Sequence, residues 1–100
     1  MATLLEDETI TDWLGTHPTW DREGATIMRS VECATFPAAI DLVRRVAVVA
    51  EDRDHHPDMD IRWRTVRFAL STHSAGGLTQ KDLDLAAAID DLARENAAHG

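Results

Sequence analysis

The fold class the sequence predicts is α+β: a four-stranded antiparallel sheet with three helices packed on one face. Three observations lead there. Apolar residues recur at helical spacing in three separate stretches, paired extended segments lie between those stretches, and turn signals mark the joints. The order is therefore helix, two strands, helix, two strands, helix, and antiparallel strands covered by helices is its economical packing.

The first helix is expected over residues 6–15, where Ile10, Trp13 and Leu14 share a face and Gly15, then Pro18, stop it. From Trp20 and Asp21 the chain reads extended, turns at Glu23-Gly24, and continues with Ile27, Val31 and Cys33 alternating against Met28, Ser30 and Glu32. Thr35 suits the N-cap of a second helix and Pro37 its first turn, with Ile40, Val43, Ala47 and Ala50 as the expected core-facing stripe. Beyond Pro57, Ile61 and Trp63 alternate with Arg62 and Arg64, whereas Val66, Phe68 and Leu70 take even positions. The phase slips near Thr65, which requires a tight turn or bulge, although Arg64-Thr65 lacks the usual turn residues. Trp63 is expected to pack on the sheet, with one side available to stack on a ligand; Trp20 admits the same two readings.

The last helix is the best signposted. Thr79 at the N-cap and Asp82 three residues later resemble a capping box, with Leu78 and Leu83 as the accompanying staple. Leu85, Ile89 and Leu92 continue the apolar stripe, and the final residues, 96–100, have little to bury and are expected to fray.

One hundred residues, 44% of them hydrophobic, make a single domain over residues 1–100 with one modest core. Eighteen acidic against ten basic residues leave a net charge of −8, which opposes direct nucleic-acid binding. Cys33 is the lone cysteine and reads as a buried thiol, so no internal disulfide forms and a reducing cytoplasm fits. No stretch approaches the roughly 20 apolar residues of a membrane span, and the acidic N-terminus lacks the features of a signal peptide.

Chemistry concentrates in residues 51–82. Three of the five histidines, His55, His56 and His73, fall within nineteen residues, and imidazole is the side chain that carries protons near neutrality. Beside Pro57, His55 and His56 also suit a helix end. Metal binding is the rival chemistry, with Glu51 or Asp82 as further ligands, but adjacent histidines in extended chain point apart and cannot readily share an ion. No metal is expected.

The pattern Glu51, three spacers, His55-His56-Pro57, five spacers, Trp63, nine spacers, His73, eight spacers and Asp82 resembles the signature of the pterin-4a-carbinolamine dehydratases. The resemblance covers roughly residues 13–92 and includes Trp20 and Gly77-Leu78-Thr79; Asp58-Met59-Asp60-Ile61-Arg62-Trp63 is similar to the bacterial branch. It implies the same α+β fold and dehydration of 4a-hydroxytetrahydropterin, the product of aromatic amino acid hydroxylases, to quinonoid dihydropterin. It further implies His55, His56 and His73 as catalytic, with residues 55–57 and 72–75 framing the pterin.

Within that frame Glu51, Pro57, Trp63, Thr72, Ser74 and Ala75 are the expected substrate-binding residues, whereas Trp20 and Asp82 are expected to be structural. Pterin is the substrate, and no cofactor is implied. Glu51, one turn before His55, is placed to take a proton from an imidazole. Many relatives carry an acidic residue where this chain has Ser74. An exposed apolar helix stripe predicts a homodimer or homotetramer, and some animal members bind a transcription factor, so the alternative functional reading is a catalytically degenerate pterin-binding or protein-interaction module.

Overall fold

The computed structural model describes residues 3–96. Its elements are α1 (Asp7–Thr16), β1 (Asp21–Glu23), β2 (Thr26–Glu32), α2 (Phe36–Asp52), β3 (Asp58–Arg62), β4 (Thr65–Leu70), a short 3₁₀ turn (His73–Ala75) and α3 (Gln80–Asn96). The four strands form one antiparallel sheet in the order β1-β2-β4-β3, so the predicted class and element order hold. The fraying expected at 96–100 falls beyond the described residues, apart from the backbone of residue 96.

Register explains which face is covered. Ile27 pairs with Leu70, Arg29 with Phe68 and Val31 with Val66, so the apolar sets of β2 and β4 lie on one face and are buried. Met28, Ser30, Arg67 and Ala69 occupy the opposite, open face. Cys33 extends the buried set, as expected. The helices complete the core with Ile10 from α1, Ala39, Leu42 and Val46 from α2, and Leu85, Ala86 and Ile89 from α3.

Both hairpin turns lie one residue from their expected positions. In the first, Glu23 still pairs with Thr26, which leaves Gly24-Ala25 as the turn, with Gly24 at φ 60°. In the second, Arg62 pairs with Thr65 and leaves Trp63-Arg64. Trp63 adopts φ 54° there, a left-handed conformation that costs a bulky residue strain. It is 87% exposed, so it does not pack on the sheet. The reason is local: Trp63 falls in the turn after β3 ends at Arg62, beyond the paired strands that the helices cover.

The stripe expected to bury α2 is also corrected. Thr35 does cap the helix, its hydroxyl accepting from Ala38 N–H at 3.1 Å. The buried face, however, is Ala39, Leu42, Val46 and Ala50, one position out of phase with Ile40, Val43 and Ala47. The helix carries two apolar stripes. Small Ala39 and Ala50 let the backbone approach the core closely, leaving Phe36 and Ile40 exposed.

Candidate active site

The end of α2 sets the first imidazole. His55 N–H reaches back to Ala50 C=O at 3.0 Å and Asp54 N–H to Glu51 C=O at 3.1 Å, the paired bonds of a Schellman turn. Asp54 occupies the left-handed position at φ 50°, which aspartate tolerates better than most residues. The turn reverses the chain, and Pro57 prevents helix from resuming.

His55 is thereby directed inward and buried, with Nε2 2.6 Å from Asp82 Oδ1. Asp82 is fully buried at the third position of α3. Its Oδ2 accepts from Thr79 N–H at 2.9 Å, the side-chain half of the expected capping box, and from the Thr72 hydroxyl at 2.8 Å. Because Thr72 spends its one proton on Asp82, the Thr79 hydroxyl is the donor in the 2.8 Å contact between the two threonines. An ionised carboxylate only accepts, so Nε2 of His55 carries a hydrogen and Nδ1 is its proton-accepting atom when the ring is neutral. Nδ1 has no protein partner among the described residues. This is the geometry by which a buried carboxylate orients an imidazole for proton transfer.

His55 also lines a pocket of about 540 Å³ together with Arg53, Lys81, Asp84 and Ala87. Those four neighbours were not anticipated from sequence. They become readable only once Asp82 is known to face His55, since Lys81 and Asp84 then flank the site on the same end of α3.

The other predicted residues are dispersed. Adjacent His56 points outward, its Nε2 2.8 Å from Glu51 Oε1, so Glu51 does meet an imidazole, that of the exposed histidine. His73 opens the 3₁₀ turn rather than ending β4, and its ring is exposed without a hydrogen-bond partner among the described residues. The loop carrying His73, Ser74 and Ala75 is held at its base, where Thr72 N–H donates to Gly77 C=O at 2.9 Å, and Gly76 at φ 76° makes the reversal. Thr72 links this loop to His55 through Asp82.

Pro57 is half-buried at the start of β3. Trp63 lies at the far tip of the hairpin, a strand length of roughly 17 Å from the histidine end, and the fold does not bring it to them. Trp20 is buried and donates from Nε1 to Asp90 Oδ1 at 2.9 Å, anchoring the first hairpin to α3. Asp82 serves as a cap, as expected, and in addition as the partner of His55. Among the described residues no group of three or more His, Cys, Asp or Glu is arranged to hold a metal ion, and no helix is long and apolar enough to cross a membrane.

Known proteins resemble this chain in sequence and in fold. The family model for pterin 4 alpha carbinolamine dehydratase matches residues 3–92. A Nocardia farcinica protein named "Putative pterin-4-alpha-carbinolamine dehydratase" is 62% identical over 91 residues, covering 91% of this chain and 96% of its own. A Roseiflexus castenholzii protein of the same name is 52% identical over 92 residues, covering 92% and 99%. Among solved structures, a transcriptional coactivator/pterin dehydratase from Brucella melitensis superposes with a TM-score of 0.87 at 27% identity, over 91% of this chain and 99% of that one. A pterin dehydratase-like protein described as a RuBisCO assembly factor shares the fold at a TM-score of 0.61 and 16% identity, over 74% and 86%. With the matched family model spanning nearly the whole chain and the fold in agreement, the chain belongs to the pterin 4 alpha carbinolamine dehydratase family.

Proposed function

We propose that the chain is a hydro-lyase that converts 4a-hydroxytetrahydropterin to quinonoid dihydropterin and water, in tetrahydropterin recycling in the cytoplasm. The observation that carries this reading is the buried His55–Asp82 pair opening onto a pocket in a chain of this family. In the reaction the C4a–O bond breaks, C4a=N5 forms, N5 loses its proton and the departing hydroxyl gains one. A base at N5 and an acid at the hydroxyl each lower the barrier. The Asp82 carboxylate presents Nδ1 of His55 as one of these groups, and His56 and His73 are the imidazoles available for the other. No metal or cofactor is required, because the pterin supplies its own electron pair.

The test follows the absorbance decay of freshly generated 4a-hydroxytetrahydropterin with wild-type, His55→Ala and His73→Ala protein. The expected outcome is acceleration by the wild type and a loss of roughly 100-fold or more in the His55 variant. Decay no faster than in buffer with folded wild-type protein would sink the enzyme reading and favour a pterin-binding or protein-interaction module.

Self-association belongs to the same proposal. Phe36, Ile40, Val43 and Ala47 form an apolar stripe on α2, with Phe36 and Ile40 well exposed, and a second copy can cover it as a homodimer or homotetramer. Ile40→Glu is expected to shift wild-type oligomer to monomer in sedimentation velocity; an unchanged distribution would move the interface elsewhere.

A further inference from the structure

We infer that the pocket at His55 selects ligands bearing an anionic tail, with Lys81 and Arg53 reading the charge; the inference rests on the pterin-site reading above. Excluding His55, the charged lining is two cations against one carboxylate, a surplus of positive charge on a chain whose net charge is −8.

The protein does not consume that surplus. Of its ten Lys and Arg side chains, Arg22, Arg29, Arg44, Arg45, Arg62, Arg64 and Arg94 pair with carboxylates. Arg53, Arg67 and Lys81 do not, among the described residues, and two of these three converge on the pocket that His55 lines. Arg53 spends Nη1 on the backbone C=O of Asp84 at 3.1 Å, a neutral acceptor that leaves its charge uncompensated. The Lys81 ammonium has no partner among the described residues. The Asp84 carboxylate accepts from the neutral Gln80 Nε2 at 2.9 Å and keeps its charge, which offsets only one of the two cations.

A reduced pterin ring is neutral, and its amide-like edge asks for single hydrogen bonds rather than two full charges. Any charge that meets Lys81 and Arg53 therefore sits on the ring's side chain, as a phosphate ester or a carboxylate, the anions that charge-assisted hydrogen bonds hold best. A pocket of about 540 Å³ has room for a substituent beyond a bicyclic ring with its reacting edge at His55.

Fluorescence titration tests this with three probes: 7,8-dihydroneopterin, whose tail is uncharged, its monophosphate ester, and dihydrofolate, whose tail carries carboxylates. Lys81 offers its side chain to no other residue among those described, so Lys81→Gln keeps the fold, and circular dichroism verifies it. One or both charged probes should bind wild-type protein more tightly than the uncharged one, and Lys81→Gln should reduce that preference by roughly tenfold or more. Which probe gains identifies phosphate or carboxylate. Equal affinity for all three, or a preference untouched by Lys81→Gln, overturns the inference and leaves the pterin reading standing. Failure of all three to bind overturns both.

Discussion

Asp82 holds His55 with one carboxylate oxygen and the start of its own helix with the other: Oδ1 lies 2.6 Å from His55 Nε2, and Oδ2 accepts from Thr79 N–H at 2.9 Å. One buried side chain thus serves the site and the fold together. Asp82→Asn separates the two services. The amide oxygen can keep the Thr79 bond, but its NH₂ then opposes the His55 N–H and drives the ring to the other tautomer. Dehydration is expected to slow by roughly 100-fold to 10,000-fold, with about 1–3 kcal/mol lost in chemical denaturation. A rate within threefold of wild type would show that the pair does not orient the imidazole.

Trp20 and Arg29 both donate to Asp90, which ties the first hairpin to α3 about two turns beyond Asp82. Trp20→Phe removes the indole N–H and retains most of the apolar contact. Urea denaturation should register a loss of about 1–3 kcal/mol, while the affinity for pterin is unaltered. A changed affinity at constant stability would place Trp20 in the binding site instead.

Trp63 holds φ 54° in the turn between β3 and β4 with little of its ring covered. Glycine adopts that conformation freely, so Trp63→Gly is expected to raise stability by about 1 kcal/mol, read as a higher denaturation midpoint at a protein concentration where the chain is monomeric. A lower midpoint would mean that the indole makes a contact worth more than the strain.

Burial raises the pKa of the Cys33 thiol. The folded state therefore keeps a proton that the unfolded chain releases first, so this contribution is fully present below the ordinary thiol range near 8.5 and declines as pH rises through it. Cys33→Ala or Cys33→Ser should flatten the alkaline limb of the stability profile. In native wild-type protein the thiol should resist alkylating reagents until the chain unfolds; rapid labelling would contradict its burial.

Local pattern carried much of this fold. The Thr35 cap, the Asp82 half of the Thr79–Asp82 box and the alternation of Val66, Phe68 and Leu70 each depend on residues a few positions apart, and each is present as read, while the Thr79 hydroxyl accepts from Lys81 N–H instead of Asp82 N–H. The second helix misled because it has two apolar stripes offset by one residue, and hydropathy favours the bulkier Ile40 over Ala39, whereas close packing favours the smaller residue. Trp63 departs for another reason: the alternation of β3 stops at Arg62, and the turn takes the next residue.

The site was half legible. Histidine clustering points to the candidate site, but the contact that organises it spans 27 residues between the end of one helix and the start of another. Asp82 looked sufficiently explained as a cap. Arg53 and Lys81 carried no signal of their own, because a charged residue beside a helix end is ordinarily solvated. Only the docking of α2 against α3 gives them a common pocket.

The burial difference among the three histidines has an evolutionary consequence. Removing His55 or Asp82 strands a buried polar partner and costs stability, whereas exposed His56 and His73 can be exchanged with little effect on folding. A descendant that abandons catalysis while keeping this architecture would therefore shed its outer histidines first. The inner pair would persist in such a lineage for its part in folding, so activity is read from the inner pair together with at least one outer histidine.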